Sequence, residues 1–385
     1  MKKFSAGPTA ILILLAAGLA FAALSPLPSG TGLAAAYTDD NGIAANPAVL
    51  FADNFEGYSG ASISWTDIGG WGNVYGTLKI SRSASEVHAG NQCVRVDHTS
   101  SLGTHGAEKE VAGFDTLFVR FYMKFASNFP GVHHAGMGIR GGPTGELFSN
   151  HTGSKPNGTN FFTCYLDHLS PLHGWQPIED SVPPGWVYDY CYHMDQSSDY
   201  GDVLTSRGTV NNTYPFSTDF VSRPNVTPQR NRWTCYEIMV QANTIGQQNG
   251  RVALWVDGAL IADHPGLRFR TVNDIKARYI ALSTYSSGYV AGQTLWYDDI
   301  VIAKSYIGPM KTGNSVEVRS PGLLRKGRIA FTTYDIRGRK IRCFEGDNDP
   351  KAGFFPAEKG LWAGINVWVI HQGHVRKTVK KVVLK

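Results

Sequence analysis

The sequence predicts an all-β protein whose main domain is two antiparallel sheets packed face to face. Short apolar–polar alternations recur from about residue 49 to Gly308, with no long helical period between them. Glycine is abundant, at 43 of 385 residues, and Trp, Tyr and Phe together make 12%; many turns plus many aromatics fit strands and their connections. Turn signals such as QQNG and VDG separate the runs. Apolar residues at 42% and charged residues at 17% are the balance of a globular chain and argue against disorder.

The chain opens MKKFSAGPTAILILLAAGLAFAALSPLPSG. Two lysines, an apolar run from Ala10 to Ala23 and then small residues have the form of a removable export signal, with AFA at 20–22 or AAA at 34–36 as the cleavage site. The run is short for a bilayer span, and no later segment is apolar for long enough. Residues 1–36 are therefore expected to be signal peptide and spacer, 37–310 the main domain, and 311–385 a small Ig-like β-sandwich with strands GRIAFTTYDI, GINVWVIHQG and TVKKVVLK.

The main-domain strands are expected in CVRVDHT, LFVRFYMKF, NFFTCYLDHL, WVYDYCYHM, RWTCYEIMVQA, RVALWVDGALI, ARYIALSTY and TLWYDDIVIA, with a hairpin tip at Asp257-Gly258. Residues 141–231 carry long polar connections rich in Gly, Pro and Asn, candidate walls of a cleft. The net charge of +5 comes largely from the C-terminal stretches LLRKGR, IRGRKIR and VRKTVKK, which argues against nucleic acid as a partner of the main domain. Export permits disulfides. Of the five cysteines, Cys164 and Cys191 lie in strand-like pieces flanking one loop and are the candidate pair; no cysteine spacing resembles a zinc site. Neither a P-loop, a dinucleotide fingerprint nor a serine nucleophile elbow is present, so no organic cofactor is expected.

The stretch FVRFYMKFASNFPGVHHAGMGIRGG concentrates chemistry. Side chains alternate between the faces of a strand. Val119, Phe121, Met123 and Phe125 make an apolar face, with Arg120, Tyr122 and Lys124 opposite; Ala135, Met137 and Ile139 make another, opposite His134, Gly136, Gly138 and Arg140. The two polar faces are expected to line one groove, with the glycines leaving room above the sheet. Tyr188, Tyr190 and Tyr192 share a face of a later strand, Tyr165 lies in another, and Trp175 and Trp186 sit nearby.

The main domain resembles the concanavalin A-like jelly rolls of secreted polysaccharide lyases and related carbohydrate-active proteins, through DNFEG at 53–57, LFVRFYMKF, RWTCYEIMVQANTIGQQNGRVALWVDGAL and LWYDDIVIAKSYIGP. The tail, with YDIRGRKI, a late Gly-initiated aromatic strand and a terminal KKVVLK, resembles the C-terminal sorting domains of type IX secretion. Together these imply an exported bacterial protein, released or held at the cell surface, with the secretion machinery as a partner of its tail and a polysaccharide as substrate or ligand.

The implied reaction is β-elimination in an acidic polysaccharide, which needs a carboxylate neutralised, a base for the adjacent C–H proton and an acid for the leaving oxygen. Arg140 or Arg120 suits the first task, His134 the second, and Tyr122 or Tyr190 the third. Lys124, Tyr165, Tyr188, Tyr192, Trp175, Trp186 and Glu237 are candidate substrate-binding residues. Two other readings stand beside this one: a non-catalytic polysaccharide-binding or adhesion protein, and a glycoside hydrolase using Glu237 with Asp167, Asp189 or Asp195. Asp53, Glu56 and Asp298, with Asp299, come from first and last strands that often adjoin in this fold; they are candidates for a structural Ca2+, or else for hydrogen bonding to loop amides.

Overall fold

The computed structural model describes residues 24–64, 70–99, 103–146, 151–172, 181–213 and 216–312, together with the backbone of four strands beyond residue 327. The chain divides into two compact units, 1–310 and 311–385. In chain order the first unit contains β1 (Val49–Asp53), β2 (Asn73–Tyr75), β3 (Lys79–Ser81), β4 (Cys93–Asp97), β5 (Gly103–Phe114), β6 (Thr116–Phe125), β7 (His134–Gly142) and β8 (Phe162–Leu169). It continues with β9 (Trp186–Tyr192), β10 (Asp202–Thr205), β11 (Gly208–Thr209), β12 (Thr234–Gln241), β13 (Gly250–Val256), β14 (Ala259–Leu267), β15 (Lys276–Ser286) and β16 (Thr294–Ala303). Each expected strand is present; the only helical pieces among the described residues are 3-10 turns at Leu33–Ala36 and Ile43–Ala45.

These strands form the two sheets of a jelly-roll sandwich. The first runs β14-β13-β12-β6-β16-β4-β3 with β1 also on β16, and the second runs β11-β10-β9-β8-β7-β15-β5-β2. Both sheets are antiparallel. The first and last strands adjoin, with Asp53 opposite Ile300. The β13–β14 hairpin turns at Asp257 and Gly258, at φ 49° and 78°. Two successive left-handed residues match the twist of the paired strands, which is why Asp-Gly stands there.

The apolar positions of the alternating runs meet between the sheets. Val119, Phe121, Met123 and Phe125 of β6 join Ala135, Met137 and Ile139 of β7, Leu166 of β8 and Ile280 and Leu282 of β15 in one core. The single groove expected of β6 and β7 fails on this point. β6 lies in the first sheet and β7 in the second. Their apolar faces both turn inward, so their polar faces emerge on opposite outer surfaces of the sandwich.

The outer face of the first sheet is covered by the chain's own N-terminal stretch. The backbone amide of Ala34 donates to the Ile307 carbonyl at 2.8 Å and that of Gly30 to Gly258 at 2.7 Å. Trp255 Nε1 donates to the Pro28 carbonyl at 2.8 Å, and Arg251 Nη1 to that of Ser25 at 2.9 Å. Ala34, Ile43, Phe118, Trp255, Tyr306 and Ile307 bury one another there. The stretch expected as a spacer up to residue 36 is therefore packed structure from Ser25 onward, and the AAA at 34–36 is part of it. The AFA at 20–22 lies outside the described residues.

In the second unit, Arg328–Tyr334 (β17), Lys340–Asp347 (β18), Gly364–Gln372 (β19) and Val375–Val383 (β20) form one antiparallel sheet in the order β18-β17-β19-β20. The three strands expected there are β17, β19 and β20; of the Ig-like sandwich, this one sheet is described.

Candidate functional site

Strand register gathers the candidate site on the outer face of the second sheet. His134 of β7 is paired with Tyr285 of β15, and Arg140 with Tyr279. On the other side Gly138 faces Tyr165 of β8, and Tyr165 and Asp167 face Tyr190 and Tyr188 of β9. His134, Arg140, Tyr165, Asp167, Tyr188, Tyr190, Tyr279 and Tyr285 thus share one face.

Asp167 organises one end of it. Its Oδ1 accepts the amides of Ala135 and His168, both at 2.7 Å. Its Oδ2 accepts the Tyr188 hydroxyl at 3.1 Å and lies 2.5 Å from His134 Nδ1. A carboxylate accepts and cannot donate, so Nδ1 carries the proton and Nε2 is left as the basic nitrogen of His134. The imidazole lies 5.2 Å from the Tyr190 ring and 4.5 Å from that of His133. His133, against Tyr285 at 5.2 Å, is held neutral, burial pushing its pKa down to about 4. The Tyr190 hydroxyl pairs with that of Tyr192 at 3.2 Å, and burial raises the Tyr190 pKa. Tyr190 keeps its proton at neutral pH and can give it only to a strong oxyanion.

Arg140 stands at the other end. It donates to the Glu146 carbonyl at 2.7 Å, lies 3.9 Å from Glu108 and stacks 4.7 Å over the Tyr279 ring. Six residues of strand separate it from His134, about 20 Å at the rise of an extended chain. That is too far for both to act on one sugar ring. The room expected above the glycines is also taken: a side chain at Gly138 would meet the Tyr165 ring at 2.7 Å, and one at Gly136 would meet the Leu166 carbonyl.

The β6 candidates belong to the opposite surface. Arg120 is fully buried and ion-paired with Asp40. The Tyr122 hydroxyl accepts the Met310 amide at 2.9 Å, and its ring stacks on His88 at 3.7 Å. Lys124 donates to the Ser85 carbonyl at 2.8 Å and lies over Trp233 and Trp296. Glu237 accepts the amides of Ile307 and Gly308, each at 2.8 Å, and burial pushes its pKa up to about 7. Arg120, Tyr122 and Glu237 hold the N-terminal region and the 304–310 segment onto the first sheet, and Lys124 holds the loop at Ser85; none shares the His134 face.

On that face the tyrosine row is mostly structural. Tyr188 is fully buried in a small cluster with Leu169 and Val203, and Tyr192 is buried, whereas Tyr190, Tyr165 and Trp186 are half-buried. Trp175 lies outside the described residues. The hydrolase carboxylates are spent elsewhere: Asp167 as above, Asp189 inside the core, Asp195 on Arg268 at 2.9 Å, and Glu237 on the other sheet.

The candidate metal set is engaged by protein donors. Asp53 accepts the Phe55 amide at 2.8 Å, the Tyr58 hydroxyl at 2.7 Å and Trp71 Nε1 at 2.8 Å. Glu56 accepts the amides of Asn91 and Gln92 at 2.6 and 2.8 Å, and Asp298 those of His88 and Asp299 at 3.0 and 2.9 Å. Each of these carboxylates accepts at least two protein donors and so pins loops. Asp298 is buried beside Asp299, and these raise its pKa to about 9.

A second histidine–carboxylate pair joins His88 to Asp299 at 2.6 Å, and His88 borders a cavity of about 560 Å3 on this side, lined also by Glu56, Arg82, Asn91 and Gln92. His88 is pressed flat on Tyr122, which makes the more open His134 the better placed of the two bases. His88, His133, Asp167 as the partner of His134, and Tyr285 were missed in the sequence. Only Asp167 left a signal there, sharing the alternate positions of Tyr165.

The fold is that of a jelly-roll protein with its candidate site on the outer face of one sheet. The sequence profile of the polysaccharide lyase 14 family matches residues 179–293, which span β9 to β15. A comparison with curated proteins found no match. Among solved structures the chain is similar to the alginate lyase Aly36B, at 17% identity and TM-score 0.46, covering 66% of this chain and 97% of that one. It is similar to the PL-14 alginate lyase of Aplysia kurodai at 16% and 0.46, covering 66% and 99%. It is also similar to the endo-β-1,4-glucuronan lyase of Trichoderma reesei at 14% and 0.37, covering 62% and 92%. No residue role is carried over from them.

Proposed function

We propose that the outer face of the second sheet is the catalytic face of a polysaccharide lyase-like enzyme that cleaves an acidic polysaccharide by β-elimination. The observation that carries this is His134, fixed by Asp167 and set beside Tyr190; the polysaccharide lyase 14 match over 179–293 supports the same reading. In the proposed step His134 Nε2 takes the proton on the carbon next to the uronate carboxylate. The electron pair forms a carbon–carbon double bond as the glycosidic C–O bond breaks, and the leaving oxygen takes a proton from Tyr190. Asp167 holds the imidazole in the required tautomer and offsets its positive charge. His133 and Tyr285 border the reacting ring, and Arg140 binds the carboxylate of a sugar further along the chain.

Incubation with alginate, glucuronan or pectate tests this. The ultraviolet absorbance of unsaturated ends supports elimination. New reducing ends without that absorbance indicate hydrolysis, and retention on insoluble glycan with neither signal indicates a binding protein. Delivery outside the cell by the N-terminal signal and the sorting-like tail belongs to the same proposal, and its test is whether residues 311–385 are needed for the protein to reach the medium or cell surface.

A further inference from the structure

Beneath the catalytic face lies a cluster that the proposed reaction does not use. Cys164 of β8 and Cys191 of β9 are cross-strand partners. Asp189, two residues before Cys191, turns to the same inward side. The three side chains are fully buried, and one ligand atom of each lies within 4.8 Å of the others. The sulfurs are 3.5 Å apart and both cysteines are free.

A disulfide was the sequence expectation for this pair, but it leaves Asp189 without a role. Neither oxygen of Asp189 has a hydrogen bond of normal geometry, although the Cys191 thiol and the backbone at Tyr165 are polar neighbours. Its strand neighbours across the sheet are Leu166 and Leu204. A carboxyl buried among such residues keeps its proton, burial holding its pKa well above the usual carboxylate range, unless a positive charge answers it. A disulfide supplies none, and its sulfurs would first have to close to about 2.05 Å. A metal ion about 2.3 Å from each sulfur, the usual zinc–thiolate distance, would need a sulfur–metal–sulfur angle of about 100°. That is near tetrahedral with the sulfurs where they stand.

We propose that Cys164, Cys191 and Asp189 form a buried site for a thiophilic divalent cation, Zn2+ by the chemistry of its donors. Two thiolates and a carboxylate supply three of the ligands. Binding releases the thiol protons. The ion clamps β8 to β9 directly under Tyr165 and Tyr190, making the site structural and distinct from the catalytic face.

The test uses the full chain, reduced, stripped by a chelator and loaded with Zn2+ or Co2+. The expected result is one equivalent of zinc retained through gel filtration, a higher melting temperature and, with cobalt, a thiolate-to-metal charge-transfer band. Cys164→Ser should abolish the band while Cys93→Ser and Cys235→Ser keep it. Asp189→Asn, nearly isosteric and free of a buried charge, should fold and bind zinc at least about tenfold more weakly. Failure of the wild type to retain zinc, a band that survives Cys164→Ser, or a Cys164–Cys191 disulfide in protein purified without reductant would each overturn the proposal. Metal retention is read without substrate, so it stands or falls separately from lyase activity.

Discussion

Single side chains divide into those proposed to touch substrate and those that hold the fold. His134→Ala removes the proposed base and should lower the rate of unsaturated-end formation at least about 100-fold, with an unchanged melting curve. Glu237→Gln should do the reverse. Gln presents an NH2 to one of two backbone amides that now donate to a carboxylate. A loss of about 1–3 kcal/mol in a denaturant melt is expected, with activity per folded molecule retained. The sequence showed both residues but not this difference. Glu237 reads as a fine strand acid, and only the neighbouring segment at 307–308 reveals that it is a cap. The alternation of its neighbours already put His134 on a polar face, whereas its partner Asp167 comes from another strand.

At the scale of elements, period-two alternation identified which face of a strand is apolar and thereby the strands themselves. It could not say which sheet a strand joins. β6 and β7 follow one another in sequence, show the same alternation, and sit in opposite sheets; that one unknown put Arg120, Tyr122 and Lys124 in one groove with His134, from which the sheets separate them. The same limit hid the N-terminal stretch, whose residues Ser25 to Ala36 have no strand period and are held by scattered bonds to Arg251, Trp255 and Ile307. A protein beginning at Tyr37 should melt several degrees lower than one beginning at Leu24, because it uncovers Phe118 and Trp255. Equal melting temperatures would contradict the packing role.

At the scale of the whole molecule, buried histidines make stability depend on pH. His264 is fully buried, and burial lowers its pKa to about 4. Between that value and about 6.5 the unfolded chain takes a proton that the folded chain refuses, so stability falls as pH falls through this window. His264→Phe, which can keep the stacking on Phe220, should remove up to about 1.4 kcal/mol per pH unit of that loss, seen as a flatter curve of melting temperature against pH. Glu237 has the opposite sign: its folded pKa of about 7 is above the ordinary 4.5, so its stabilising share is lost as pH rises.

Fold class was legible because composition, turns and alternation all act locally. The candidate site was only partly legible, because its geometry depends on strand order. The most direct measurement is the ultraviolet time course of unsaturated-end formation on polyuronates by the wild type, His134→Ala and Arg120→Lys, each confirmed folded. The account predicts product from the wild type, almost none from His134→Ala, and near wild-type rates per folded molecule from Arg120→Lys. Activity that survives His134→Ala but disappears with Arg120→Lys would place the chemistry on the other sheet and contradict it.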